Sequence, residues 1–166
     1  MISICEASTK DIGIIQKIAY QTWPVVYNEI ITPAQIKYML DLFYSETALF
    51  ENMTKNGHDF LLLMENSVTI GFAAFEDNYL NQKVTRLHKL YLLPSSHGKG
   101  YGKLLVDAVI KKAREEASLL ISLNVNKFNP AIAFYLKIGF AIVGEEKLPI
   151  GNDFFMDDYK MELQLK

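Results

Sequence analysis

Leu90-Tyr91-Leu92-Leu93-Pro94-Ser95-Ser96-His97-Gly98-Lys99-Gly100-Tyr101-Gly102-Lys103-Leu104-Leu105 runs from an apolar segment through a short polar turn and three alternate glycines into helical spacing. The pattern predicts a strand, a tight loop and a helix start. Alternate glycines admit positive φ and leave no Cβ in the way of a ligand. Consecutive N–H groups can then face one anion, with the positive end of the helix dipole behind them. Lys99 and Lys103 add positive charge at the same end. The local chemistry predicts a pyrophosphate cradle. Two familiar phosphate loops are excluded. No Gly-Lys-Ser/Thr ending is present, and the glycine spacing and late position do not fit a dinucleotide fold.

Outward from that loop, 166 residues make one domain, residues 1–166, half of it apolar. Such a chain buries roughly two-thirds of its unfolded surface in one core. A net charge of −2 gives no basic footprint for nucleic acid. The single cysteine, Cys5, excludes an internal disulfide and a cysteine-rich zinc site, and is expected as a small core residue. No signal peptide and no membrane-length apolar run is seen, which predicts a soluble cytoplasmic protein without a metal or a membrane partner.

Ile2 to Glu6 reads as a strand. Ser8 with Asp11 forms a capping-box start for a first helix carrying Ile12, Ile15, Ala19, Thr22 and Trp23, which Pro24 interrupts or ends. Thr32-Pro33 opens a second helix, with Gln35 closing the box, and Ser45 caps a third. From Asp59 the period becomes two. Strands Phe60–Met64 and Val68–Phe75 flank the turn Glu65-Asn66-Ser67, and Val84–Leu93 runs into the glycine loop. A helix from about Tyr101 to Ala117, a strand at Leu119–Val125, a helix at Ala131–Ile138 and two last strands complete a mixed α/β (α+β) domain. In the final strand Phe155, Tyr159, Met161, Leu163 and Leu165 alternate against Asp158, Lys160, Glu162 and Gln164, a pattern that also allows a homodimer beside a monomer.

The loop stretch resembles the cofactor motif of the GNAT superfamily of acyl-CoA-dependent N-acetyltransferases, with His97 where that family usually has Gln or Arg. Leu123-Asn124-Val125-Asn126-Lys127-Phe128-Asn129-Pro130-Ala131-Ile132-Ala133-Phe134-Tyr135-Leu136-Lys137-Ile138-Gly139-Phe140 is similar to its second motif. The early helices and Phe154-Phe155-Met156-Asp157-Asp158-Tyr159 look like the PaiA-like branch, some of whose members acetylate polyamines. The resemblance implies a mostly antiparallel sheet splayed at the cofactor cleft, with the pantetheine arm of acetyl-CoA entering the gap as a pseudo-strand. Backbone groups of Tyr91, Leu92 and Leu93 would pair with it. The N–H groups from Gly98 through Lys99, Gly100, Tyr101 and Gly102 to Lys103 would hold the pyrophosphate, with His97 beside it. Asn129 and Phe134 would flank the arm, and Lys137 would reach the outer phosphate.

Acetyl transfer to an amine needs a base for the ammonium, polarisation of the thioester carbonyl and an acid for the departing thiolate. Tyr135 stands where the family carries its general acid, and a phenol can hand a proton to a thiolate. His88 is placed by alternation on the face of Leu90 and Leu92 and is the candidate base, with Glu76 as rival. An amine that arrives neutral needs neither. Polarisation falls to a backbone N–H near Leu92. Trp23, Tyr27 and Tyr38, with Glu76, Asp157 and Asp158, suggest an aromatic and acidic pocket for a polyamine or another small cationic amine. Three other functions stay open: a protein or peptide acetyltransferase, a non-catalytic acyl-CoA-binding regulator, and an unrelated nucleotide-phosphate binder.

Overall fold

The computed structural model describes all residues, Met1–Lys166. Its seven strands are β1 (Ile2–Glu6), β2 (Asp59–Glu65), β3 (Val68–Glu76), β4 (Val84–Leu92), β5 (Leu120–Asn126), β6 (Ala141–Gly151) and β7 (Phe154–Gln164). They form one sheet in the order β1-β2-β3-β4-β5-β7-β6. All neighbours are antiparallel except β4 and β5. The helices are α1 (Ile12–Tyr27), α2 (Pro33–Tyr44), α3 (Glu46–Thr54), α4 (Tyr101–Glu115) and α5 (Ala131–Lys137).

Two apolar clusters sandwich the sheet. On one face Leu105, Val106, Val109 and Ala113 of α4 and Tyr135 of α5 pack against Leu61, Leu63, Leu87, Ile121 and Met161. On the other, Ile15, Ile18 and Trp23 of α1, with residues of α2 and Leu49 of α3, cover Phe60, Leu62 and Phe72.

The caps follow the sequence. Ser8 and Asp11 form the reciprocal box, and Ser45 accepts from the Ala48 N–H. Thr32 accepts from the Gln35 N–H, but the Gln35 side chain reaches the Phe155 carbonyl at 2.8 Å instead of closing its own box. Pro24 does not end α1, which continues to Tyr27. The carbonyl that Pro24 leaves without a donor belongs to Tyr20, which is exposed, so water can serve it. Asn66 and Ser67 both take positive φ, as a two-residue hairpin turn requires.

Two expectations are corrected. Cys5 is exposed, because β1 is an edge strand and Ile2 and Ile4 are the side chains it turns to the core. His88 does not share a face with Leu90 and Leu92. The β3–β4 register pairs Phe75 with Leu87 and Ala74 with Lys89, leaving His88 as the extra residue of a bulge. Past it the alternation resets. Leu90 and Leu92 join the α4-side core, whereas the His88 ring stacks on His58 at 4.0 Å.

Candidate active site

β4 and β5 are paired only over Val84–Arg86 and Leu120–Ser122. Beyond those residues the strands diverge, although β4 runs on to Leu92 and β5 to Asn126. The divergence opens a cleft of about 990 Å³, roofed by α1 and α2 and reaching the glycine loop. Trp23, Tyr27, His88, Tyr91, Leu92, His97, Gly98, Gly100, Tyr101, Gly102, Asn129, Phe134 and Tyr135 all line it.

At the loop end Gly98 and Gly100 sit at φ +78°, and a Cβ at either position meets nothing within 4 Å. None of the N–H groups from Gly98 to Lys103 is taken by a backbone acceptor; the first such bond in this stretch is Leu104 N–H to Gly100 O. Six unused donors at the start of α4 form an anion cradle. Gly102 lets the helix approach the Phe134 ring, which a Cβ there would meet at 3.3 Å.

Other parts of the expected cofactor set are placed differently. The Leu93 N–H is used by the Ile70 carbonyl, whereas the Leu92 carbonyl turns the other way and accepts from Thr22 Oγ1 and His97 Nε2. His97 thus folds back on its own strand. Asn129 caps α5 through the Ala131 N–H and donates to the Tyr27 hydroxyl. Tyr101 donates to Glu65. Leu93, Lys99, Lys103 and Lys137 lie outside the cleft lining, and Lys103 pairs with Asp107.

The middle of the cleft holds Tyr135. Its residue is buried, yet its hydroxyl makes no hydrogen bond within the protein. Burial raises the phenol well above its usual range, so it stays protonated. The ring is fixed edge-on between Phe134 and Phe140. Above it Trp23 packs against Tyr27 and Tyr91, and the Tyr27 and Tyr91 hydroxyls meet at 2.9 Å.

At the far end Glu76 Oε1 lies 3.0 Å from His88 Nε2 and 3.4 Å from His58 Nε2. The two rings are within 12° of parallel, and of the two contacts only that of His88 has hydrogen-bond geometry. Burial, with the Lys89 and Arg86 cations, pushes His88 down to about 3. Burial and His88 push His58 down to about 4. Both imidazoles are neutral at physiological pH.

Three residues expected at the acceptor are engaged elsewhere. Tyr38 donates to the Ile150 carbonyl at 2.6 Å and packs on Phe154, away from the cleft. Asp157 pairs with Lys127 at 3.2 Å, and Glu76 is taken by the two histidines. Two acids do line the cleft: Glu146, which pairs with Lys160, and Asp158, which is buried and makes no side-chain hydrogen bond or ion pair. Its carboxyl is raised to about 6, chiefly by burial and then by Glu146. The sequence alternation puts Asp158 on the polar face of β7, but at this end that face is the cleft wall, not solvent. Lys89 and Arg86 also line the cleft. Neither carried a sequence signal as a site residue, because the unreadable bulge at His88 decides which way they point.

The chain matches the Acetyltransferase (GNAT) family over residues 22–140. It is 30% identical to the L-amino acid N-acyltransferase MnaT of Escherichia coli, over 71% of each chain. It is 29% identical to an uncharacterized N-acetyltransferase of Mycobacterium bovis, over 84% of this chain and 91% of that one. Its fold matches a crystal structure of the PaiA N-acetyltransferase from Thermoplasma acidophilum in complex with coenzyme A. That match has a TM-score of 0.84 at 24% identity and covers 99% of both chains. A splayed sheet, an unused N–H cradle and this match over most of the chain agree: the protein belongs to the GNAT family and is an acetyl-CoA-dependent N-acetyltransferase.

Proposed function

We propose that this chain transfers the acetyl group directly to the primary amine of a small molecule at the β4–β5 splay, with Tyr135 as general acid. The observation that carries the proposal is Tyr135, a buried residue that lines the cleft where the strands diverge and whose hydroxyl has no hydrogen-bond partner in the protein. Acetyl-CoA supplies an activated acyl group. In the transfer the amine nitrogen bonds to the acyl carbon, the C–S bond breaks, the thiolate takes the phenolic proton, and the proton shed by the acylated nitrogen returns the phenolate to phenol. The Gly98–Lys103 N–H groups hold the pyrophosphate, and Leu92 offers backbone groups to the arm.

The ammonium must first lose a proton. His88, the base expected from sequence, is held neutral too strongly to keep one. Asp158, at about 6, is the better match to work near neutral pH. His88 then acts through the Glu76 hydrogen bond to shape the acceptor wall. The sequence suggests a polyamine or another small cationic amine as acceptor, but of the three acids behind that expectation only Asp158 is free in the cleft.

The test is thiol release from acetyl-CoA across a panel of amino acids, polyamines, aminoglycosides and a lysine peptide, with Tyr135→Phe in parallel. Turnover on a small amine, lowered about 10²-fold or more in kcat by the substitution, is the expected result. Transfer to the lysine peptide alone would instead favour the protein-modifying function. Acetyl-CoA binding with no transfer at all would favour the regulator.

A further inference from the structure

The acceptor end of the cleft contains two cations that make no ion pair within the protein. Arg86 takes part in none of the chain's ion pairs, and its only protein hydrogen bond is a long one, 3.4 Å from Nη1 to Ser122 Oγ. Its guanidinium lies 5.3 Å from the Tyr79 ring. Lys89 is likewise unpaired. Its Nζ donates once, to Asn52 Oδ1 at 3.2 Å, and sits near the faces of Tyr44 and Phe60. A guanidinium has five N–H donors and an ammonium three, so most of this donor capacity is unspent.

No acid of the region makes an ion pair with these cations, although Glu146, Asp158 and Glu76 act on Arg86 from a greater distance. Glu76 is hydrogen-bonded to His88 and lies beside His58, Glu146 pairs with Lys160 at 3.6 Å, and Asp157 pairs with Lys127. Only Asp158 on the β7 wall faces the same cleft unpaired. A part-buried cation without a partner is costly to maintain. Two that line the same cavity can together receive an anion.

We infer that the acceptor is an amino acid, its carboxylate held by Arg86 and Lys89 and its amine presented to Asp158. Two cations on β4 and one carboxylate on β7 complement a zwitterion. A polyamine would bring its charges against Arg86 and Lys89. The inference rests on the transferase function proposed above and names the substrate class of that same site.

The test pairs each of several L-amino acids (leucine, methionine, phenylalanine and glutamate) with its own carboxamide, and adds spermidine, in the thiol-release assay. The amide keeps the amine and side chain and removes only the negative charge. The expected result is a kcat/KM for at least one acid about tenfold or more above its amide. Lys89→Met and Arg86→Gln each raise KM for the acid and bring the acid-to-amide ratio toward one; Lys89→Met keeps the side-chain volume. Amides or spermidine used as well as the acids would overturn the inference, as would variants that slow acid and amide alike. In either case Tyr135-dependent transfer leaves the transferase function standing. If no amine is acetylated that function fails, and calorimetry with N-acetyl-leucine against N-acetyl-leucinamide decides the anion site alone. Preference for the acid, lost in Lys89→Met, supports the site, and equal binding overturns it.

Discussion

Asp158 and Lys89 have different protonation requirements, and each leaves a separate mark on the pH profile, whereas Tyr135 stays protonated throughout. Asp158 must be ionised to take a proton, so kcat/KM falls as pH drops below about 6. Asp158→Asn removes that limb and lowers kcat/KM about 10²-fold. Lys89 must be charged to hold a carboxylate, and burial lowers it to about 8. Its amine shares its surroundings with Arg86, His88 and His58, and none of these titrates between pH 7 and 9 in the direction that would mimic it. The preference for an acid over its amide therefore declines above about pH 8. Tyr135 was legible from its motif, and so were the cradle glycines. Asp158 was visible only as one acid among several, because the sequence does not say that Lys127 takes Asp157 while Asp158 is walled in. Lys89 and Arg86 were not legible at all. Their direction depends on the single extra residue at His88, and a bulge leaves no mark in hydrophobic alternation.

Among the elements, the loop before α4 and the central hairpin each depend on a glycine for a definite reason. Gly100→Ala forces a Cβ onto φ +78° at the cradle, at a cost of about 1–2 kcal/mol. Calorimetry on that variant is expected to show weaker acetyl-CoA binding. Gly71 lies where β3 meets β4, and a Cβ there would stand 2.4 Å from Leu92 Cδ2 and 2.9 Å from the Tyr91 carbonyl. Gly71→Ala is expected to destabilise the fold by about 1–3 kcal/mol in denaturant melts. It also displaces Leu92, so acetyl-CoA binding weakens with it. Element boundaries were largely readable, because caps and turns are local chemistry: Ser8, Thr32 and Ser45 start helices by accepting from nearby N–H groups. Tertiary context decided the exceptions. Pro24 is tolerated within α1 because the carbonyl it orphans faces water, and Cys5 is exposed because β1 has no strand beyond it.

Across the whole molecule, the sheet is held together on both faces yet parts in the middle, and the proposed meeting point of cofactor and acceptor is where β4 leaves β5. The Tyr27 hydroxyl bridges that gap, touching Tyr91 on β4 and Asn129 ahead of α5. The same burial that shapes the site makes the fold acid-sensitive. His58 and His88 are neutral when folded but protonate below about 6.5 when unfolded, so stability present above that pH is lost as it falls toward 4. Asp158 works in the opposite sense, being raised on folding, and cancels about one of those two protons between pH 4 and 6. The net expectation is a loss of about 1.4 kcal/mol per pH unit in that window, flattened in a His58→Gln or His88→Gln single variant and reversed in the double variant, where Asp158 acts alone. Chemical melts at successive pH values measure it. The central claim, acetyl transfer at the splay with Tyr135 as acid, is tested most directly by single-turnover transfer from a preformed acetyl-CoA complex of Tyr135→Phe. The account predicts acetyl-CoA affinity close to that of the unaltered protein and a transfer step slowed about 10²-fold or more. A transfer step of unchanged rate would contradict it.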